Sequence, residues 1–192
     1  MRRLIFLLLG VAILAGAGLP KGAFLVGSAG VAEEFTCAQN CVYDNWPKPI
    51  FSFGFGRKIN RKFSWSLELE ARPFRIEKLA WKNPEFYDEY ITEYFLTYSL
   101  KYYPFSRIFL RGYIGLDMMN FYEDYHYPVK RKEELFGFGP FLGIGVGALV
   151  FREGCYSFSL EIFARRMSNT VLKGLYANFF GVKLEIKKSQ HR

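Results

Sequence analysis

The feature that most constrains this chain is a period-two alternation of apolar and polar residues that returns in run after run. Phe51, Phe53 and Phe55 alternate with Ser52, Gly54 and Gly56, and Phe63, Trp65, Leu67, Leu69 and Ala71 with Ser64, Ser66, Glu68, Glu70 and Arg72. Tyr94, Leu96, Tyr98, Leu100 and Tyr102 oppose Glu93, Phe95, Thr97, Ser99 and Lys101. Ile108, Leu110, Gly112, Ile114, Leu116 and Met118 oppose Phe109, Arg111, Tyr113, Gly115 and Asp117. Phe138, Leu142, Ile144, Val146, Ala148 and Val150 stand against Gly137, Gly139, Gly143, Gly145 and Gly147. Tyr156 to Ala164 repeats the pattern against Ser157, Ser159, Glu161, Phe163 and Arg165, and Asn178, Phe180, Val182, Leu184 and Ile186 close the series. Successive side chains of a strand point to opposite sides of a sheet, so each run predicts a strand with one apolar face. An aromatic share of 19% and 18 glycines fit an all-β chain. Its 192 residues suit one domain, and 51% hydrophobic with 23% charged residues excludes disorder.

The polar faces decide between two all-β architectures. In a soluble sandwich the charged face meets water. Here Glu68, Glu70, Arg111, Asp117, Glu161 and Arg165 mix both signs among Ser, Gly and Thr, which suits a narrow lumen filled by side chains. Such ion pairs fill space; acid–base work by paired carboxylates is the lesser alternative. The connections agree. Asn60-Arg61, Pro104 to Arg107 and Arg152 to Gly154 read as tight turns, whereas Arg75 to Tyr90 and Tyr122 to Leu135 read as long polar loops. Short turns at one end and long loops at the other predict an antiparallel outer-membrane β-barrel. Seven runs cannot return both termini to the periplasm, so an eighth strand is expected at Gly22 to Glu33. Pro140 predicts a bulge or break in its strand. Lys130 to Glu134 reads as a solvated loop, with surface attraction to anionic lipopolysaccharide the lesser alternative, and Trp81 with Tyr87 to Tyr90 as a recognition surface or part of an aromatic girdle.

Arg2 and Arg3, the apolar run Leu4 to Leu14 and the small residues Ala15-Gly16-Ala17 predict a signal peptide over residues 1–17, with the barrel over 18–192. An uncleaved anchor is the alternative, and a second possible cleavage point follows Ala32. A disulfide between Cys37 and Cys41 suits an exported chain, with free thiols the equal alternative; Cys155 is left over. No neighbouring His or second Cys pair supports a metal site. The formal net charge of +8 suggests nucleic acid, but the basic residues gather at strand ends and turns instead of forming a stripe among stacking aromatics. The glycines at 143, 145 and 147 are not a phosphate-binding loop, since no helix follows. No cofactor and no nucleic acid are expected.

One stretch breaks the apolar rule. Counting on from Ala164 puts Arg166 and Ser168 on the apolar face, at the end of their strand. At Ser168-Asn169 the sequence resembles the lipid A 3-O-deacylase family, outer-membrane acyloxyacyl hydrolases that carry a His-x-Ser-Asn motif near the top of the penultimate strand. The resemblance implies a barrel acting on lipopolysaccharide from its outer wall, with Ser168 as nucleophile, a His as base and an acid orienting it. The position of that His is Arg166 here, and a guanidinium cannot accept a proton from Ser168. The acid's position falls on Asn178 or Phe180. His126, in a loop at the correct end, is the candidate substitute base; His191 lies beyond the far end of the last strand. The other reading is a non-catalytic small barrel with a structural or lipid-binding role. In it Arg166, with Asn169 and Asn178, pairs with a lipid phosphate, or Arg166 snorkels at the interface. The partners expected are lipopolysaccharide and other outer-membrane lipids.

Overall fold

A computed structural model describes residues 20–36, 47–76, 87–125, 131–168 and 176–189. They form eight strands: β1 (Ala23–Thr36), β2 (Lys48–Lys58), β3 (Phe63–Ile76), β4 (Tyr87–Tyr102), β5 (Ile108–Tyr125), β6 (Arg131–Glu153), β7 (Tyr156–Ser168) and β8 (Tyr176–Ser189). Each pairs antiparallel with its sequence neighbours, and β1 pairs with β8, so the sheet closes into a barrel. The eighth strand demanded by parity is β1. Followed from strand to strand, the register runs through Leu25, Phe55, Leu67, Tyr98, Ile114, Leu142, Arg166 and Asn178 and returns to β1 at Phe35. The circuit therefore closes displaced along β1 from where it began. That stagger forces the strands to tilt and fixes a bore that side chains can fill.

The wall is apolar outside and charged inside. Ile144 points outward and is 71% exposed, whereas Glu68, on the inner face, is 1% exposed. This inverts a soluble protein. An outer band of Leu, Ile, Val, Phe and Tyr cannot face water on every strand, so the barrel crosses a membrane by its strands.

The short turns and both outermost strand ends lie together. Between β2 and β3, the Asn60 side chain accepts the backbone N–H groups of Lys62 (2.8 Å) and Phe63 (2.9 Å). Between β6 and β7, Gly154 takes φ 55°, which few L-residues tolerate. This end is periplasmic by the rule that outer-membrane barrels keep short turns there.

At the opposite end the strands outrun the sequence reading. The β3–β4 ladder continues to Ile76 and Glu89, and the β5–β6 ladder to Tyr125 and Arg131. Much of the two expected long loops is therefore hairpin, including Arg131 to Glu134 and Tyr87 to Tyr90. Polarity had marked these residues as loop. Two strands that satisfy each other's backbone need no buried face, and the stretch is rich in strand-forming Tyr, Phe and Ile.

Pro140 neither bulges nor breaks β6, which runs through it opposite Leu116. The Leu149 N–H donates to the Arg107 carbonyl on the β5 side (2.6 Å), so by alternation the position of Pro140's missing N–H faces β7. The β6–β7 ladder begins only at Phe141, so the missing donor lies just past its end and the β5–β6 ladder is untouched. The irregularity falls instead between Leu149 and Phe151, where Val150 is the extra residue. It turns Phe151 to the outer wall, where its ring stacks on Phe158 at 4.1 Å.

Candidate functional site

Two places carry chemistry, the lumen and the outer end of β7. The lumen is built from every second residue of the strands, and its centre is Arg111. Its Nε donates to Ser99 Oγ (2.9 Å), and Nη1 to Glu161 (3.0 Å) and Glu185 (2.8 Å). Nη2 donates to Ser66 Oγ (3.0 Å) and to Glu68. Lys101 reaches Glu185 at 2.5 Å, and Lys183 lies 4.0 Å from Glu161. Glu68 also accepts from Ser52 (2.9 Å) and Ser66 (2.7 Å). Small residues make the room. A Cβ on Gly54 would strike the Leu67 carbonyl and sit 2.7 Å from Glu68 Cα.

Above this layer the interior turns aromatic. Phe95, Tyr113, Phe141, Phe163 and Phe179 pack with Met119 and Met167. The Arg165 guanidinium stands among the rings of Tyr113 (4.6 Å), Phe163 (4.8 Å), Phe141 (5.4 Å) and Phe95 (5.9 Å), and it binds both oxygens of Glu70. Higher still, Arg72 pairs with Glu93 at 2.5 Å and lies over Phe179 at 3.9 Å. Of the carboxylate-rich set read from the sequence, Glu68, Glu70 and Glu161 thus sit with Arg111 and Arg165 in a packed ion network. Desolvation offsets much of the attraction between such pairs, so their effect is to fix one arrangement more than to add stability. Lys101, Lys183 and Glu185 joined it unforeseen; the polar face of β8 alternates as clearly as the apolar one and would have revealed the last two.

At the outer end of β7, alternation places Arg166 and Ser168 on the outer wall, and Arg166 is exposed. Arg166 stands opposite Leu142 on β6 and Asn178 on β8, and Ser168 opposite Tyr176. Asn178, half-buried, shares that outward face. Along the adjoining stretch of β8 the outward positions are Asn178 and Phe180; along β6 they are Phe138, Pro140 and Leu142. Among the described residues these rows hold neither a histidine nor an acid. One carboxylate was missed: Glu33 on β1 faces outward opposite Phe180, and the Val31, Glu33 alternation would have found it. His126, Asn169, Cys37, Cys41 and the signal region 1–17 lie outside the described residues. Cys155 is a free, half-buried thiol in the β6–β7 turn.

No family model and no curated protein matches the chain. Solved structures do. Ail, the attachment invasion locus protein of Yersinia pestis, superposes with a TM-score of 0.64 at 11% identity, covering 88% of this chain and 99% of that one. The same protein in complex with the heparin analogue sucrose octasulfate gives 0.63 at 10% identity, over 86% of this chain and 98% of that one. Neisserial surface protein A gives 0.52 at 9% identity, over 88% and 97%. The fold is that of a small outer-membrane barrel. With the apolar wall and filled lumen, it places this chain in the bacterial outer membrane.

Proposed function

We propose that this chain is a non-catalytic outer-membrane barrel that holds lipid at its outer rim, with Arg166 and Asn178 as the headgroup contacts. The observation that carries the reading is their register. A guanidinium and an amide stand side by side on adjacent strands where the apolar band ends, which is the height of lipid phosphates. Arg presents a planar fork suited to a phosphate, and its stem can lie along the apolar wall. Lipopolysaccharide supplies phosphate at that leaflet. Ser168, whose described neighbours offer no base, adds a hydroxyl.

A second reading has one observation in its favour. Ser168 faces the lipid side of the wall at the end of the penultimate strand, where the resemblance to lipid A 3-O-deacylases would put a nucleophile. In that reading His126 supplies the base.

Mass spectrometry of lipid A from cells expressing the wild type, Ser168→Ala and Arg166→Gln separates the two. The binding reading expects unchanged lipid A acylation in all three, with lipopolysaccharide co-purifying with wild type and reduced about tenfold for Arg166→Gln, as for a lost charge-assisted contact. Loss of one ester-linked acyl chain in the wild type, abolished in Ser168→Ala, would replace it with the esterase.

A further inference from the structure

At the end opposite the Arg166 rim, the β2–β3 hairpin reads Arg57-Lys58-Ile59-Asn60-Arg61-Lys62, and every one of these residues is exposed. We propose that this hairpin is a preformed binding site for anionic phospholipid headgroups of the inner leaflet. Height comes first. Arg57 lies on the outer wall just beyond Phe55 and in register with Trp65. Trp65 belongs to an aromatic belt, edge-on to Phe55 at 6.0 Å and stacked on Tyr98 at 6.2 Å, with Phe63 on Tyr102 at 4.9 Å. Such belts mark the headgroup level, so cations one step beyond them stand among lipid phosphates.

The second observation is rigidity. Besides the Asn60 side-chain bonds, the Ile59 N–H donates to the Phe63 carbonyl (2.9 Å). The tip is also tied to both neighbours: the Lys58 N–H donates to Gly22 on the β1 side (2.9 Å), and the Lys62 carbonyl accepts the Tyr103 N–H (2.8 Å). Four cationic side chains therefore project from a fixed turn. The third observation is sign. Lys21, Arg107 and Arg152 are exposed at the same end, where Glu153 is the one exposed carboxylate among the described residues. A phosphodiester sheet meets that charge; a zwitterionic surface does so weakly, and each cation near an anionic surface adds to the attraction.

The test is native mass spectrometry of the full chain, released from detergent in the presence of equimolar phosphatidylglycerol and phosphatidylcholine. Wild type should retain phosphatidylglycerol about tenfold over phosphatidylcholine. The quadruple variant Arg57→Gln/Lys58→Gln/Arg61→Gln/Lys62→Gln should lose most of that preference, while Gly112→Ala, on the wall away from both rims, keeps it. Heat-modifiable gel mobility reports folding. Should the quadruple variant not fold, Arg61→Gln/Lys62→Gln changes only turn residues and should lower the preference about threefold. Equal retention of both lipids by wild type, or an undiminished preference in a folded variant, overturns the proposal. So does displacement of phosphatidylglycerol by an equal charge of soluble polyglutamate, which would make the partner an acidic macromolecule.

Discussion

Replacing Arg111 with methionine should destabilise the barrel strongly, from inside its lumen. The guanidinium makes five hydrogen bonds, three of them to carboxylates, at a position 2% exposed. The three glutamates do not lose equally. Glu185 keeps Lys101 at 2.5 Å, and Glu161 keeps the Tyr113 hydroxyl and Lys183 at 4.0 Å. Glu68 is left with the hydroxyls of Ser52 and Ser66 as its hydrogen-bond partners. Removing one member of a buried ion pair costs about 3–5 kcal/mol, mostly because the other charge stays desolvated. That is roughly two to four powers of ten in the folding equilibrium. With a urea dependence of ~1–3 kcal/mol per molar, the midpoint should fall by about 1 M or more. Urea titration in lipid vesicles, read by gel mobility and by Trp fluorescence, measures it. Adding Glu68→Gln to Arg111→Met removes the orphaned charge and should recover more than half of the loss. A single variant within about 1 kcal/mol of wild type, or a double variant no more stable than the single, would refute this account of the lumen.

The same titration tests the wall. Ile144→Arg places a cation on the lipid face between Gly112 and Ala164 and should cost about 2–4 kcal/mol; a neutral result would mean that this face does not meet lipid. Gly54→Ala forces a methyl onto the backbone of Leu67 and Glu68 and should cost about 1–3 kcal/mol. Gly112→Ala, whose Cβ would meet nothing within 4 Å, should stay within about 0.5 kcal/mol. If the two glycine variants behave alike, close packing of the lumen is not what Gly54 serves.

The fold was legible because a barrel writes the same rule on every strand. Glu68 opposite Leu67 and Leu69, or Arg111 opposite Leu110 and Gly112, needs no partner to be read as inside against outside. Closure was legible from parity, which required β1 before Cys37. What escaped depends on partners that a single strand does not reveal. That Pro140 leaves the β5–β6 ladder intact follows from its missing N–H facing β7, where the β6–β7 ladder has ended. The turn of Phe151 to the outer wall follows from Val150, and its only sequence sign was the unbroken apolar run Ala148 to Phe151 where alternation was due. The aromatic layer around Arg165 was half legible. Phe95 and Phe163 were visible on the polar face, but nothing in either strand says that four rings would meet around one guanidinium. At the Ser168 site the sequence supplied the outward face, the Arg in place of a base and Asn178, and the structure added the register of Asn178 beside Arg166 and Glu33 opposite Phe180.

The lumen also bears on where function can reside. A proton-transferring pair needs a carboxylate whose charge is not already committed. Glu68, Glu70, Glu93, Glu161 and Glu185 each contact an Arg or Lys within the wall. The aromatic layer lies between Glu68, Glu161 and Glu185 and the outer mouth. Chemistry directed at membrane lipids must therefore act on the outer surface, where the alternation of β7 and β8 interrupts the apolar band with Arg166, Ser168 and Asn178. That interruption has a physical cost unless it is used, because a cation facing hydrocarbon destabilises the strand that carries it. At the end of the band the cost falls away and a phosphate partner reverses its sign. In the proposed reading the position of Arg166 along β7, not its residue type alone, makes it a lipid contact.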